Sequence, residues 1–428
     1  MKNIYFSVRG TSNFSPPQTY LFNKIVETSK NIFKLFGYEE IILPILEEEA
    51  VFVRSVGQAT DIIEKQMFKV TRNRPDLDSK MQIVLRPEGT AQVIRYYIEN
   101  SLYKKSDFYK FCYFGPMFRG EKPQKGRLRQ FHHIGAEAIG SYSEFLDAEV
   151  IFLSLEILDA LGIKQKSLHL NSLGCGLDKE KFKELLKKEI LPYKDKLCID
   201  CQRRMEKNPL RIFDCKEENC QSICEKFSSI TSQQYLCKTC HSHFKNLVDI
   251  LKDNFGIQPF VDFRLVRGLD YYTNTIFEIN SPFLGSQNAL GGGGRYNNLV
   301  EELGGPKVGA VGFALGLERI MLLLEKIDIL KTIDVFIATT NDTLIKEAVK
   351  LLISLRKENI SSDIDYCKKS LKGQLRYAEK KNVNFVIILG EEELKENKVI
   401  LKDMKRSLQE KVNIDNIIPL LKSKLKNV

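Results

Sequence analysis

Between Phe114 and Glu137 the chain concentrates arginines and carboxylates, Arg119, Glu121, Arg127, Arg129 and Glu137, in and around a pair of strand-like segments. Charges placed so densely on strands cannot all be solvated, and arginine's planar fork suits carboxylate or phosphate, so the pattern asks for counter-charge from a ligand. A solvated charged hairpin is the plainer reading of the same residues. Leu85-Arg86-Pro87-Glu88-Gly89-Thr90 reads as a strand end, a turn and a helix start, where short polar groups converge and where Thr90 could cap the helix. Gly291 to Gly294 lacks the spacing of a phosphate-binding loop and is read as a strand whose missing side chains let a ligand approach the backbone. Cys198-x-x-Cys201 and Cys237-x-x-Cys240 have the pair spacing of one four-thiolate zinc site, with Cys215, Cys220, Cys224, His241 and His243 as alternative ligands.

These residues need elements to hold them. Ser15-Pro16-Pro17-Gln18 has the form of a capping box, and Phe22, Ile25, Val26, Ile32, Phe33 and Phe36 recur at helical spacing until Gly37. Ile41-Ile42-Leu43 reads as a strand that Pro44 confines to a sheet edge or a subunit boundary. Phe108 to Phe114 and Arg129 to Ile139 form a long hairpin, with Arg129, Phe131, His133, Gly135 and Glu137 on one face by alternation. Residues 171–254, rich in Lys and Cys, look like an insertion. Strands return at Thr275 to Ile279, Gln287 to Leu290 and Val308 to Val311, followed by a helix bearing Leu317, Ile320, Met321 and Leu324. From Lys331 short strands and helices alternate, at Val335 to Ala338, Leu344 to Lys357, Leu371 to Lys381 and Phe385 to Leu389, as in a small α/β domain.

A chain of 428 residues, 43% apolar and 28% charged, can bury two or three domains. No apolar run approaches the roughly 18 residues that span a bilayer, and the start lacks a secretory signal, so a cytoplasmic protein with no membrane partner is expected. Ten cysteines in such a chain argue for reduced thiols or a metal site, and eight of them lie between Cys175 and Cys240. The net charge of +10 suits a polyanionic partner such as RNA. From Lys331 onward 20 Lys and Arg face 14 Asp and Glu, which makes that segment the first candidate for RNA contact.

Phe118-Arg119-Gly120-Glu121, with its basic loop and second strand, resembles motif 2 of the class II aminoacyl-tRNA synthetases. The helix-led segment ending in Pro44 resembles motif 1, the dimer motif, and Gly312-Phe313-Ala314-Leu315-Gly316-Leu317-Glu318-Arg319 resembles motif 3. Leu265-Val266-Arg267-Gly268-Leu269-Asp270-Tyr271-Tyr272-Thr273 and Ala289-Leu290-Gly291-Gly292-Gly293-Gly294-Arg295-Tyr296 are similar to the two signature peptides of the histidyl enzymes. The resemblance implies an α+β fold: a class II antiparallel-sheet catalytic domain over 1–330 with an insertion domain at 171–254, and a C-terminal α/β anticodon-binding domain over 331–428. It implies ATP bound by Arg119, Glu121, Arg127 and Arg319, and histidine bound by Glu88, Gly89, Thr90, Arg119, His133, Glu137, Arg267, Tyr271 and Tyr272. Arg119 and Arg267 would be catalytic. Tyr272 and Glu137 would orient a neutral imidazole through its two nitrogens, one a donor and one an acceptor. His133 departs from the family pattern, which has glutamine after Phe131-His132.

The reaction implied is attack of the histidine carboxylate on the α-phosphate of ATP, giving histidyl-adenylate and pyrophosphate, and then transfer to the 3′ end of tRNA(His). Mg²⁺ would span phosphate oxygens, and any zinc would be structural. A homodimer is expected from motif 1. The alternative is a catalytically silent histidine-binding regulatory paralogue of histidine biosynthesis; such relatives lack the anticodon domain and carry damaged signature peptides, whereas both are intact here.

Overall fold

The apolar spacing after Ser15 becomes a helix over Gln18–Leu35 that buries Leu21, Ile25, Ser29 and Phe33. In this computed structural model, which describes residues 5–56, 60, 62–71, 82–215, 217–225, 234–285, 287–324 and 333–426, the expected capping box does not form. Pro17 is the N-cap and no side chain bonds the first turn. The helix starts two residues later than the Ser-x-x-Gln spacing requires, which places Gln18 at the first helical position instead of the third.

The Ile41–Leu43 strand also fails to appear. Pairing is confined to β1 (Glu39–Glu40), parallel to the strand Tyr109–Phe118, and only the Ile41 N–H extends it, donating to the Cys112 carbonyl at 2.8 Å. Pro44 has no N–H to donate, and β1 is indeed the edge of its sheet.

After β2 (Leu46–Glu48) and β3 (Ile83–Leu85), which form a separate ribbon, come β4 (Tyr109–Phe118) and β5 (Gln130–Ile139). These make the expected hairpin, paired from Tyr109 opposite Ile139 to Phe118 opposite Gln130. The sheet is completed by β6 (Ser167–Ser172), β7 (Phe260–Val261), β8 (Thr273–Asn280), β9 (Ala289–Arg295) and β10 (Ala310–Gly316), in the order β1-β4-β5-β10-β9-β8-β6-β7. Only its two end pairings are parallel. Because β10 lies between β5 and β9, His133 faces Gly316 and Glu137 faces Gly312, far apart in the chain.

Period-two alternation splits β5 between two cores. Ile134, Ala136 and Ala138 pack with Phe33, Ile151, Leu247, Phe277 and Phe313 beneath the helices Gln18–Leu35, Glu144–Ala160 and Lys238–Asp253. On the opposite face lie Val93 and Tyr97 of the helix Thr90–Glu99, with Tyr271, Tyr272 and Tyr296. His133 and Glu137 of β5 face this second side, whereas His132 lies on the first, against Phe22.

Both ends of the expected insertion belong to the sheet scaffold. Asn171 and Ser172 pair with Ile276 and Thr275, and the helix Lys238–Asp253 buries Phe244, Leu247, Ile250 and Leu251 in the first core. The part outside the sheet is the helical stretch between them, from Gly176–Ile190 to Glu218–Glu225.

Residues Met1–Ile327 and Asp328–Val428 form two compact units; the expected boundary at 330/331 lies outside the described residues. The second unit has a sheet of β11 (Val335–Thr339), β12 (Ser362–Ile364), β13 (Phe385–Leu389), β14 (Lys398–Asp403) and β15 (Leu408–Asn413), ordered β12-β11-β13-β14-β15. β11 and β13 are buried throughout, as their continuous apolar runs require for parallel strands covered on both faces. Helices Ile345–Lys357 and Ile417–Leu425 cover one face and Leu371–Lys380 the other. Among the described residues no helix is long and apolar enough to cross a membrane.

Candidate active site

The floor of the site is built around Glu137, which is 1% exposed. A Cβ at Gly312 would lie 1.8 Å from the Glu137 carboxylate, so glycine on β10 leaves the room that this side chain fills. The carboxylate accepts from the Thr90 hydroxyl at 2.7 Å, the Tyr113 hydroxyl at 3.3 Å and the Tyr296 hydroxyl. Burial pushes its pKa up to about 8, with the hydroxyls pulling the other way. Glu137 therefore lies beneath the cleft and is not among the residues that line it.

Gly89 has a comparable part. Cβ atoms at Gly89 and Gly135 would fall 2.4 and 2.1 Å from the Tyr113 ring, which runs between them. Gly89 makes space for Tyr113 and does not line the cleft. The adjacent Glu88, 2% exposed, accepts from the Thr90 and Ala91 N–H groups at 2.6 and 2.9 Å. Glu88 thus performs the capping expected of Thr90, and the Thr90 hydroxyl donates its proton to Glu137.

Above this floor opens a cleft of about 960 Å³ into which Glu88, Thr90, Arg119, Glu121, Arg127, His133, Arg267, Tyr271, Tyr272 and Arg319 converge. Arg119, just past the end of β4, lies over the Phe131 ring at 5.2 Å and donates through Nε to the Pro87 carbonyl at 2.9 Å. Arg319 donates to the Gly126 and Ala289 carbonyls at 3.0 and 2.5 Å, joining the hairpin loop to β9. Glu121 pairs with Arg127. Arg267 donates to Glu278 at 2.5 Å. Burial works against the Arg267 charge, and Glu278 together with Tyr272 and Tyr271 more than restores it.

Four buried polar atoms of lining residues have no hydrogen-bond partner, and with Glu121 Oε2 answered by the Arg127 ion pair three stay open: His133 Nδ1, Arg267 Nε and the Gln66 side-chain carbonyl. Buried polar groups are nearly always paired, so unpaired ones gathered in a cleft mark where ligand atoms complete the set. Burial and the surrounding cations Arg119, Arg86, Arg267 and Arg319 hold the His133 pKa well below its ordinary 6.5 and keep the imidazole neutral. Four arginines and a neutral donor-acceptor ring suit a substrate pair carrying phosphate and carboxylate charge.

The glycine run is a strand, but the space is not left for a ligand alone. A Cβ at Gly291, Gly293 or Gly294 would collide with the Ala314, Gly312 or Thr275 carbonyl at 2.4, 1.9 and 2.3 Å, so close strand approach demands glycine. Sequence reasoning missed Tyr113, Gln66, Glu278 and Arg211 as site residues. Arg211 donates to the Arg267 and Gly268 carbonyls at 3.3 and 3.1 Å and so braces the loop that carries Arg267; the Cys-rich setting of Arg211 gave no signal of this.

The two Cys-x-x-Cys pairs do not form one site. Cys198 and Cys201 gather with Cys215 and Cys220, whereas Cys237 and Cys240 gather with Cys175 and Asp178. Each pair opens a different helix, Ile199–Lys207 or Lys238–Asp253, and the latter is committed to the sheet's first core.

A family model described as Histidyl-tRNA synthetase matches residues 10–176 and 214–320, and one described as Anticodon binding domain matches 334–424. The histidine–tRNA ligase of Desulforamulus reducens is 41% identical over 97% of this chain and 98% of its own length. That of Moorella thermoacetica is 42% identical over 96% of each. The crystal structure of apo Staphylococcus aureus histidyl-tRNA synthetase, 33% identical, superposes with a TM-score of 0.78 over 98% of this chain and all of that one.

Proposed function

The chain belongs to the histidyl-tRNA synthetase family, and from that premise we propose how its cleft works as a histidine–tRNA ligase. The enzyme activates L-histidine with ATP, releases pyrophosphate, and transfers histidine to tRNA. The observation that carries the assignment of roles is the convergence of Arg119, His133, Arg267 and Arg319, from four separate stretches, around buried polar atoms that lack partners.

Arg119 and Arg319 hold ATP phosphate oxygens, Arg127 meets the outer phosphates, and Glu121 lies toward the adenine. Glu88 and Thr90 receive the histidine ammonium group. Tyr272 and Tyr271 form the wall beside the imidazole, and Glu137 fixes that wall from below through Thr90, Tyr113 and Tyr296. When the histidine carboxylate attacks the α-phosphate, two anions meet, and Arg119 and Arg267 stabilise the charge that develops. A carboxylate nucleophile needs no general base, so alignment of the two substrates supplies much of the remaining acceleration. Mg²⁺ entering with the nucleotide would add charge neutralisation at the phosphates.

The C-terminal unit, with its surplus of basic residues, contacts tRNA(His) through phosphates. A homodimer through the β1 edge is supported by exposed apolar side chains in that segment: Leu35 at 79%, Ile42 at 88% and Leu46 at 50%. Free cysteines fit a cytoplasmic enzyme. Exchange of labelled pyrophosphate into ATP, run with each amino acid separately, tests the activity: exchange with histidine alone is expected, and none with any amino acid in folded protein would favour the regulatory histidine-binding paralogue.

A further inference from the structure

The eight clustered cysteines form two groups of unlike character. In the first, the sulfurs of Cys198, Cys201, Cys215 and Cys220 all lie within 4.8 Å of one another, with Cys198 and Cys215 at 3.8 Å, and three of the four residues are buried. Four Zn–S bonds of about 2.3 Å at tetrahedral angles would place sulfurs about 3.8 Å apart. The cluster also holds N–H groups aimed at sulfur: Cys198 N–H donates to Cys220 Sγ at 3.3 Å, and Glu217 N–H to Cys215 Sγ at 3.5 Å. Such donors stabilise thiolate ligands. Cys198 sits at the N-cap of the helix Ile199–Lys207, where the positive end of the helix favours a thiolate.

In the second group Asp178 has both carboxylate oxygens engaged with backbone N–H groups, of Cys175 at 3.3 Å and of Cys237 at 3.0 Å, and Cys237 is exposed. That group is a knot joining two helix starts.

We propose that Cys198, Cys201, Cys215 and Cys220 bind one structural Zn²⁺ as four thiolates, and that this metal positions the Arg267 loop. Cys201 and Cys215 bracket the segment that reaches that loop. Within it Asn208 donates to the Asp270 carboxylate at 3.0 Å, and Arg211 donates to the Arg267 and Gly268 carbonyls and to Asp214 at 2.7 Å. Cys198 and Cys215 themselves border the active cleft. The metal thus closes both ends of a brace whose middle holds the substrate arginine. This rests on the histidine-binding role given to Arg267, so the tests read the metal and the brace separately.

The purified full chain, stripped of metal under reducing conditions, is titrated with Co²⁺. The expected result is saturation at about one Co²⁺ per chain with the strong thiolate charge-transfer and tetrahedral ligand-field bands of an all-sulfur site, displaced by Zn²⁺. C215S and C220S lose these bands and C237S keeps them. If either of the first two does not fold, the wild-type titration still decides, because charge-transfer intensity scales with the number of sulfurs. No Co²⁺ binding, a Cys198–Cys215 disulfide in the protein as purified, or bands lost in C237S and kept in C215S would overturn the site. Metal removal raises the histidine KM in pyrophosphate exchange severalfold, with the ATP KM changing less and Zn²⁺ restoring both. A histidine KM indifferent to metal would overturn the positioning role alone.

Discussion

Arg295 and Arg267 come from the two signature peptides, and the protein treats them in opposite ways. Arg295 is 0% exposed, its Nε lies 2.6 Å from Asp147, and it donates to the Ser141 and Ser143 carbonyls at 2.8 and 2.6 Å. Asp147 in turn accepts from Thr275 at 2.6 Å and contacts His243 at 2.9 Å. Arg295 Nε and Asp147 Oδ1 meet as an ion pair outside hydrogen-bond geometry, so it is charge pairing that closes this network on protein groups. Arg267 has a single carboxylate partner, and its buried Nε has none. A fully buried arginine and a partly buried one of similar setting in the sequence are told apart by whether a buried carboxylate meets the Nε, as at Arg295, or leaves it open to the cleft, as at Arg267.

Breaking the closed network should have the largest effect. Arg295→Met strands Asp147 without its counter-charge and is expected to lower stability by about 3–5 kcal/mol in urea denaturation. An unchanged midpoint would mean the network is not closed. Arg267→Ala should cut histidine-dependent pyrophosphate exchange by roughly 10²–10³-fold with the unfolding midpoint kept, because partly exposed Glu278 can be solvated. Near-normal exchange would remove Arg267 from the chemistry, and a fall in both readouts would erase the contrast with Arg295.

Glu137 lies between these extremes, saturated with partners and yet titratable. Its folded-state carboxyl keeps a proton up to about 8, against an ordinary 4.5, so the native state binds more protons than the unfolded one between those values. Its contribution to stability is present at low pH and is lost as pH rises through 8, with a slope of about 1.4 kcal/mol per pH unit inside the window. Glu137→Gln should remove that slope from the ligand-free protein; identical pH dependence in both would place the proton elsewhere. His133 acts in the other direction: its pKa is depressed, so stability is lost as pH falls below 6.5. Since it is already neutral at pH 7, His133→Gln should change exchange at pH 7.5 by less than about fivefold, roughly 1 kcal/mol. A much larger loss would give the ring a role that an amide cannot fill.

Elements written in local pattern were legible in the sequence. The 3.6-residue spacing from Phe22 onward and the alternation in β5 placed the first helix and the face carrying His133 and Glu137. Three-residue β12 and solvent-facing β15 carry little apolar pattern and passed unnoticed. Tyr113 read as an ordinary strand residue, although its hydroxyl reaches Glu137 between two glycines.

By itself the sequence determined the motifs, their order and the charges they carry, because these depend on residue type and spacing along the chain. Only the tertiary structure decided that Glu137 lies under the cleft, that Glu88 caps the helix expected of Thr90, and that Cys198 and Cys201 join Cys215 and Cys220 and not Cys237 and Cys240. The first and the last depend on which distant segments share a few ångströms, and the second on a side-chain rotamer that residue type does not specify. For Glu137 the insertion of β10 between β5 and β9 sets that proximity, and strand order is fixed by burial over the whole sheet, where local pattern has no say.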